Sequence, residues 1–251
     1  MKEITKIRLL NFFNLFNRAR DILYRNELRQ TKVLDFYGSF ISPGNVCYDI
    51  GANIGRKTDI FLHLGAKVVV VEPQPECAGF LEKKYGGNPN VTLIRKAIGE
   101  NVGTGQMLVC EANALSSLSD DWINKVKQSG RYKDYVWNDP VAVDITTLDK
   151  LIDIYGRPNY CKIDVEGYEY KVLLGLSKPP SMLSFEISPE TPGIAEKSID
   201  RLLELGNPRF NFSLPESYSF VFDDYIPRGE MLLYLKENNL LYGDIYARFD
   251  Q

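Results

Sequence analysis

The fold is decided in the stretch Val46-Cys-Tyr-Asp-Ile-Gly-Ala-Asn-Ile-Gly55. It begins as a short apolar run, passes through a glycine turn and opens into a helical pattern from Ile54 to Leu64. Strand, glycine turn and helix in that order form the first half of a βαβ unit. Glycines let a backbone approach a ligand closely, and the first turn of a helix offers unpaired N–H groups. The details narrow the ligand. A dinucleotide-binding turn requires G-x-G-x-x-G, with a pyrophosphate at the helix start. Here only Gly51 and Gly55 are present, with Asn53 between them, a residue that tolerates left-handed backbone. Asp49 stands two residues before Gly51. Its charge opposes a pyrophosphate and suits a ligand with an ammonium or sulfonium group. Taken alone, the same residues fit a tight structural turn equally well.

Working outward, Lys67 to Glu72 reads Lys-Val-Val-Val-Val-Glu and is followed by Pro73. A β-branched run of this kind marks a buried parallel strand. Glu72, about 20 residues past the glycine turn, is placed to accept hydrogen bonds from ribose hydroxyls. S-adenosylmethionine carries a ribose, an ammonium and a sulfonium together. Asp49-Ile-Gly-Ala-Asn-Ile-Gly55, Val71-Glu-Pro73, Thr147-Leu-Asp149 and Lys162-Ile-Asp-Val-Glu-Gly-Tyr-Glu169 resemble the successive motifs of the FkbM-type S-adenosylmethionine-dependent methyltransferases. The resemblance spans about residues 40–190, specific at both ends and loose between. With the turn and the second strand, it gives Asp49, Gly51, Ala52, Asn53, Gly55, Glu72, Pro73, Ala97 and Asp164 as cofactor-binding residues. Methyltransferases of the wider class often carry an acid after the third strand to bind the adenine amine. This chain has Arg95-Lys-Ala-Ile-Gly99 there, so adenine recognition falls to backbone groups near Ala97.

At 251 residues the chain is long enough for one elaborated α/β domain. A hydrophobic content of 44% with 25% charged residues is that of a globular protein. The net charge of -3 argues against a general nucleic-acid binder. Cys47, Cys77, Cys110 and Cys161 show no metal or disulfide spacing and read as small core residues of a reducing, cytoplasmic compartment. No apolar run reaches the length of a membrane span.

The expected architecture is α/β, a Rossmann-like doubly wound sheet of the class I methyltransferase type, mostly parallel with one antiparallel closing strand. An N-terminal helical extension over 1–42 precedes a methyltransferase domain over 43–251. Ile4, Ile7, Leu10, Phe13, Phe16 and Ile22 give an amphipathic helix over 4–28, with Arg18, Arg20 and Arg25 on it. Such a helix packs on its own domain or on a second copy, as a homodimer, more often than on a membrane. Residues 103–143 form an insertion that is either a surface excursion or an active-site lid. Its Trp122, Tyr132, Tyr135 and Trp137 could hold a sugar ring or could simply pack the insertion onto the domain. Leu151, Ile152 and Ile154 supply the core face of a helix capped at Thr146-Thr147. Strands are expected at 160–164 and 182–187, then at 210–214 and 219–222, with residues 229–248 packing back on the sheet.

Methyl transfer is an in-line displacement that depends on holding the acceptor against the methyl group. A hydroxyl acceptor also needs a base. His63, the only histidine, sits at the far end of its helix and reads as structural. Asp164, Glu166 and Glu186, at strand ends, are the catalytic candidates; Glu169 lies in a first helical turn, where an acid complements the dipole. The acids of Asp164-Val-Glu-Gly-Tyr-Glu169 also suit Mg²⁺, but the resemblance implies no metal. Three functions compete. The favoured one is O-methylation of a hydroxyl on a small-molecule or glycan acceptor, a sugar, glycan or polyketide-type molecule. The others are an NAD- or nucleotide-sugar-binding Rossmann enzyme and a non-catalytic S-adenosylmethionine-binding scaffold.

Overall fold

The computed structural model describes residues 31–238 and 242–249; the amphipathic stretch expected over 4–28 lies outside them. The opening βα turn is as read: β1 (Val46–Ile50) leads through Gly51 to Gly55 into α2 (Arg56–His63), preceded by α1 (Thr31–Gly38). Next come β2 (Lys67–Val71), α3 (Pro75–Tyr85), β3 (Val91–Ile94) and the short β4 (Ala97–Ile98). The insertion supplies β5 (Gly103–Cys110), α4 (Asp120–Gln128) and β6 (Trp137–Thr146). The second half runs α5 (Leu148–Tyr155), β7 (Tyr160–Ile163), α6 (Glu169–Leu174), β8 (Met182–Ile187), α7 (Pro192–Leu205), β9 (Arg209–Ser213), α8 (Arg228–Glu237) and β10 (Gly243–Arg248).

Seven strands form one sheet in the order β3-β2-β1-β7-β8-β10-β9. β1 pairs in parallel with β2 on one side and β7 on the other, so the chain leaves it in opposite directions. That is a topological switch point, and ligands of open α/β sheets bind beyond the strand ends there. β10 alone runs antiparallel, to both β8 and β9. This is the α/β class I methyltransferase fold. The apolar runs of β1, β2 and β7 are explained by burial on both faces. Tyr48, Ile50, Val69 and Val71 face a core shared with α5 to α8, while Cys47, Val68 and Val70 face one shared with α1 to α3. α1 buries Val33, Phe36 and Tyr37 in the second core, beside Phe61, Tyr160 and Tyr246.

Three local expectations are corrected. Residues 219–222 are not a strand, although Val221 N–H donates to the Phe212 carbonyl at 2.8 Å. The closing strand is β10, which pairs on both sides and buries Ile245 and Ala247. In α5 the core face is Leu148 and Leu151, while Ile154 is 67% exposed. The insertion is ordered: β5 and β6 form an antiparallel hairpin, joined by β4 into a second, three-stranded sheet. Its own core gathers Cys110, Leu115, Trp122, Ile123 and Val126. Trp122 and Trp137 therefore serve packing, the latter donating Nε1–H to the Leu115 carbonyl at 2.8 Å. No helix among the described residues is long and apolar enough to cross a membrane.

Candidate active site

Two cavities open at the carboxyl ends of the strands, of about 100 and 280 Å³. Both are lined by Gly51, Asn53, Ala114, Asp164 and Glu166, so they form two arms of one cleft. The smaller arm adds Glu72, Pro73, Gln74 and Ala97, with Met107, Asn113 and Ser116 of the insertion as one wall. The larger adds Asp49, Ala52, Lys57, Lys162, Glu186, Tyr242 and Asp244.

The turn is held by its backbone. The N–H groups of Gly51 and Ala52 both donate to the Val71 carbonyl, at 2.9 and 3.0 Å. Gly51 has φ +79°, and a Cβ there would lie 1.8 Å from the Asp164 carbonyl oxygen. Only glycine lets the ends of β1 and β7 approach so closely. Gly55 has a different task. It lines neither cavity, and a Cβ on it would meet Tyr85 Oη at 2.4 Å; that hydroxyl donates to the Gly55 carbonyl at 2.9 Å. The structure thus places Gly55 in α2–α3 packing, while the other expected cofactor residues line the cleft.

Glu72 is 2% exposed. Its carboxylate accepts from the Asn53 N–H at 2.7 Å and the Gln74 N–H at 2.8 Å. Burial outweighs these donors and pushes its pKa up to about 7. Gln74, 5% exposed, donates Nε2–H to the Asn113 carbonyl at 3.0 Å, which leaves its buried Oε1 without a hydrogen-bond partner. Asp49, equally buried, accepts from Thr58 Oγ1 at 2.6 Å. Its pKa is raised by burial, against the opposing pull of Lys162 and Thr58.

Lys162 and Asp164 form the centre. The Lys162 side chain is 3% exposed and its Nζ lies 2.5 Å from Asp164 Oδ2. Burial favours its neutral form, but Asp164, Asp244, Glu186 and Asp49 together hold its pKa well above the ordinary lysine range. Asp164, Glu166 and Glu186 each bring a carboxylate oxygen to within 4.8 Å of the others, a spacing that a divalent cation could bridge. Glu166 and Glu186 are pushed well above the ordinary carboxylate range, by burial first and then by the charge of Asp164. Tyr242 Oη donates to Glu186 Oε1 at 2.6 Å. Asp244, opposite Glu186 in the β8–β10 register, has a buried Oδ1 with no hydrogen-bond partner. The loop bearing Glu166 is fixed by Glu169, whose Oε1 accepts from the Val165 and Gly167 N–H groups, both at 3.2 Å. Glu169 is therefore a structural acid, and burial raises it to about 7. His63 is exposed and lines neither cavity.

Among the lining residues that the sequence reading missed are Lys57, Gln74, Lys162, Tyr242 and Asp244. Two carried a signal. Lys162 is a charge inside the apolar run Tyr160–Ile163, and Lys57 is a cation in a first helical turn, against the dipole.

The family model for the Methyltransferase FkbM domain matches residues 49–214. The chain belongs to the FkbM methyltransferase family. It is thus a member of an S-adenosylmethionine-dependent methyltransferase family, which favours that cofactor over a dinucleotide. The chain is 26% identical over 161 residues to the hexuronic acid methyltransferase AglP of Haloferax volcanii, a match that covers 63% of this chain. The match spans 61% of that relative's length. Among solved structures it is similar to methyltransferase FkbM from Methylobacillus flagellatus KT, with TM-score 0.49, 15% identity and 82% and 44% of the two chains covered. It is also similar to a SAM-dependent O-methyltransferase from Thermotoga maritima, with TM-score 0.44, 12% identity and 89% and 66% covered.

Proposed function

We propose that this FkbM methyltransferase O-methylates a hydroxyl of a sugar, glycan or polyketide-type small molecule, with a sugar favoured by the likeness to a hexuronic acid methyltransferase. The residues of the smaller arm fit the nucleoside of S-adenosylmethionine. Glu72 stands ready for ribose hydroxyls, and the orphaned Oε1 of Gln74 is an acceptor that an adenine amine would satisfy. Asp49, at the start of the larger arm, suits the ammonium group. When bound, the cofactor supplies an electrophilic methyl group on a sulfonium.

The observation that carries the reading is the carboxylate cluster where the two arms meet. Asp164 is fixed by Lys162 and suits an orienting role, accepting a hydrogen bond from the acceptor hydroxyl. Glu166 lines both arms and has no side-chain hydrogen bond among the described residues. Its raised proton affinity makes it a better base than an ordinary carboxylate, and a nearby cationic cofactor favours its ionised form. It takes the hydroxyl proton as the new C–O bond forms, while Glu186 is steadied by Tyr242.

The test combines calorimetry with S-adenosylhomocysteine and transfer of labelled methyl groups to a panel of sugars. Glu166→Gln should retain affinity for S-adenosylhomocysteine and lose turnover by about 100-fold or more. Asp164→Asn should also keep that affinity while impairing turnover. Loss of cofactor affinity in Glu166→Gln with unchanged turnover at saturation would reject the assignment of the base.

A further inference from the structure

The larger arm has a cationic side that the methyl-transfer residues do not use. Lys57 is the second residue of α2, where a positive charge opposes the helix dipole. Its Nζ lies 5.4 Å from the ring centroid of Tyr37 and 5.2 Å from that of Tyr218. Aromatic faces attract a cation but do not neutralise it. Among the described residues no carboxylate lies within 4.0 Å of it, although every other lysine or arginine of this arm has one: Arg56 meets Glu216 at 3.8 Å and Lys162 meets Asp164. The ammonium stays charged, because Tyr37, Tyr218 and Asp244 outweigh the burial that would discharge it. A half-buried, unpaired cation facing a cavity is a costly arrangement unless an anion completes it.

Where that anion comes from follows from the sheet. Lys57 reaches toward Tyr218, in the loop after β9, and Asp244, on β10. Those elements lie beyond β7 and β8, in the half of the sheet away from the cofactor residues on β1 and β2. We propose that Lys57 binds a carboxylate carried by the acceptor, which makes the acceptor an acidic sugar of the uronic acid class. This rests on the sugar-acceptor reading above. The ion pair supplies binding and orientation: the carboxylate anchors one end of the ring at Lys57 and presents a hydroxyl to Asp164 and Glu166. A neutral sugar of the same shape leaves Lys57 unpaired and loses that contribution.

The experiment compares methyl β-D-glucuronide with its neutral isostere, methyl β-D-glucuronamide, by saturation-transfer NMR on the protein saturated with S-adenosylhomocysteine. The wild-type protein should bind the carboxylate at least tenfold more tightly. Lys57→Met should abolish that preference, and Lys57→Arg should restore part of it, with S-adenosylhomocysteine affinity unchanged in both. Equal affinity of the wild type for the two sugars, or binding of neither, overturns the proposal without any variant. A tenfold loss of S-adenosylhomocysteine affinity in Lys57→Met, with the sugar preference intact, also overturns it and moves Lys57 to the cofactor's own carboxylate. Failure of the methyltransferase site shows separately, as absence of S-adenosylhomocysteine binding by the wild type; the two sugars, measured without it, still read Lys57.

Discussion

Glu72 shows how one buried carboxylate couples ligand binding to pH. With a pKa near 7 in the empty protein, it is mostly protonated at pH 5.5 and mostly ionised at pH 7.5. Ribose hydroxyls donate to the ionised form, so binding below pH 7 must first release a proton. Affinity for S-adenosylhomocysteine should therefore rise between these pH values, by roughly 20-fold for one group of this pKa. Calorimetry across the range checks this, and Glu72→Gln should flatten the slope; a slope that survives the substitution belongs to another group. Lys162 gives a second test. Replacing it with Met leaves Asp164 and its neighbours without their cation, at a cost of about 3–5 kcal/mol. Because Glu166 and Glu186 can respond by holding protons, urea denaturation should show a smaller loss at pH 5 than at pH 8. An equal loss at both would mean that Lys162 acts through packing alone.

Among the elements, the βα turn and the strand ends were legible because their information is local. Asp49, Gly51 and Glu72 are fixed by the order strand, turn, helix, strand, and all lie within 24 residues of one another. Asp244 and Tyr242 were not legible, because only the antiparallel insertion of β10 brings them beside Glu186. The alternating residues 219–222 drew the closing strand to the wrong place; a register across two neighbours decides that choice, not alternation. The insertion was opaque for a related reason. β6 pairs with both β4 and β5, and this pairing turns a polar, aromatic stretch into a wall of the smaller arm. Trp122 holds that wall: it is buried among Cys110, Leu115 and Tyr132, and Gly167 is bare against it. Trp122→Ala should cost about 3–5 kcal/mol. It should also weaken S-adenosylhomocysteine binding, since Asn113 and Ser116 would lose their support. Limited proteolysis should then cut first within 103–143. Unchanged cofactor affinity alongside the stability loss would mean the insertion does not shape the nucleoside arm.

Across the whole molecule, the site sets the sign of the pH dependence. Asp49, Glu72, Glu166, Glu169, Glu186 and Asp244 all have folded-state pKa values raised by burial above those of the unfolded chain. Between the unfolded and folded values the native state binds more protons than the unfolded state, so stability falls as pH rises through that window. For Glu72 and Glu169 the window runs from the usual 4.5 to about 7, worth on the order of 3 kcal/mol each. Glu190 works the other way: Ser188, Arg131 and Ser129 hold its carboxyl down against its burial. It is one group against six. The ligand-free protein should accordingly have its highest Tm near pH 5 and lose about 10 °C or more by pH 8, given 2–4 °C per kcal/mol for a chain of this size. S-adenosylhomocysteine should reduce that slope, because its ammonium group offsets the negative charge of the ionised cluster. Scanning calorimetry with and without it, from pH 5 to 8, measures both slopes. A Tm that rises toward pH 8 in the ligand-free protein would mean that these carboxylates are ionised and paired when the cleft is empty, and the raised proton affinity assigned to Glu166 as base would fall with it.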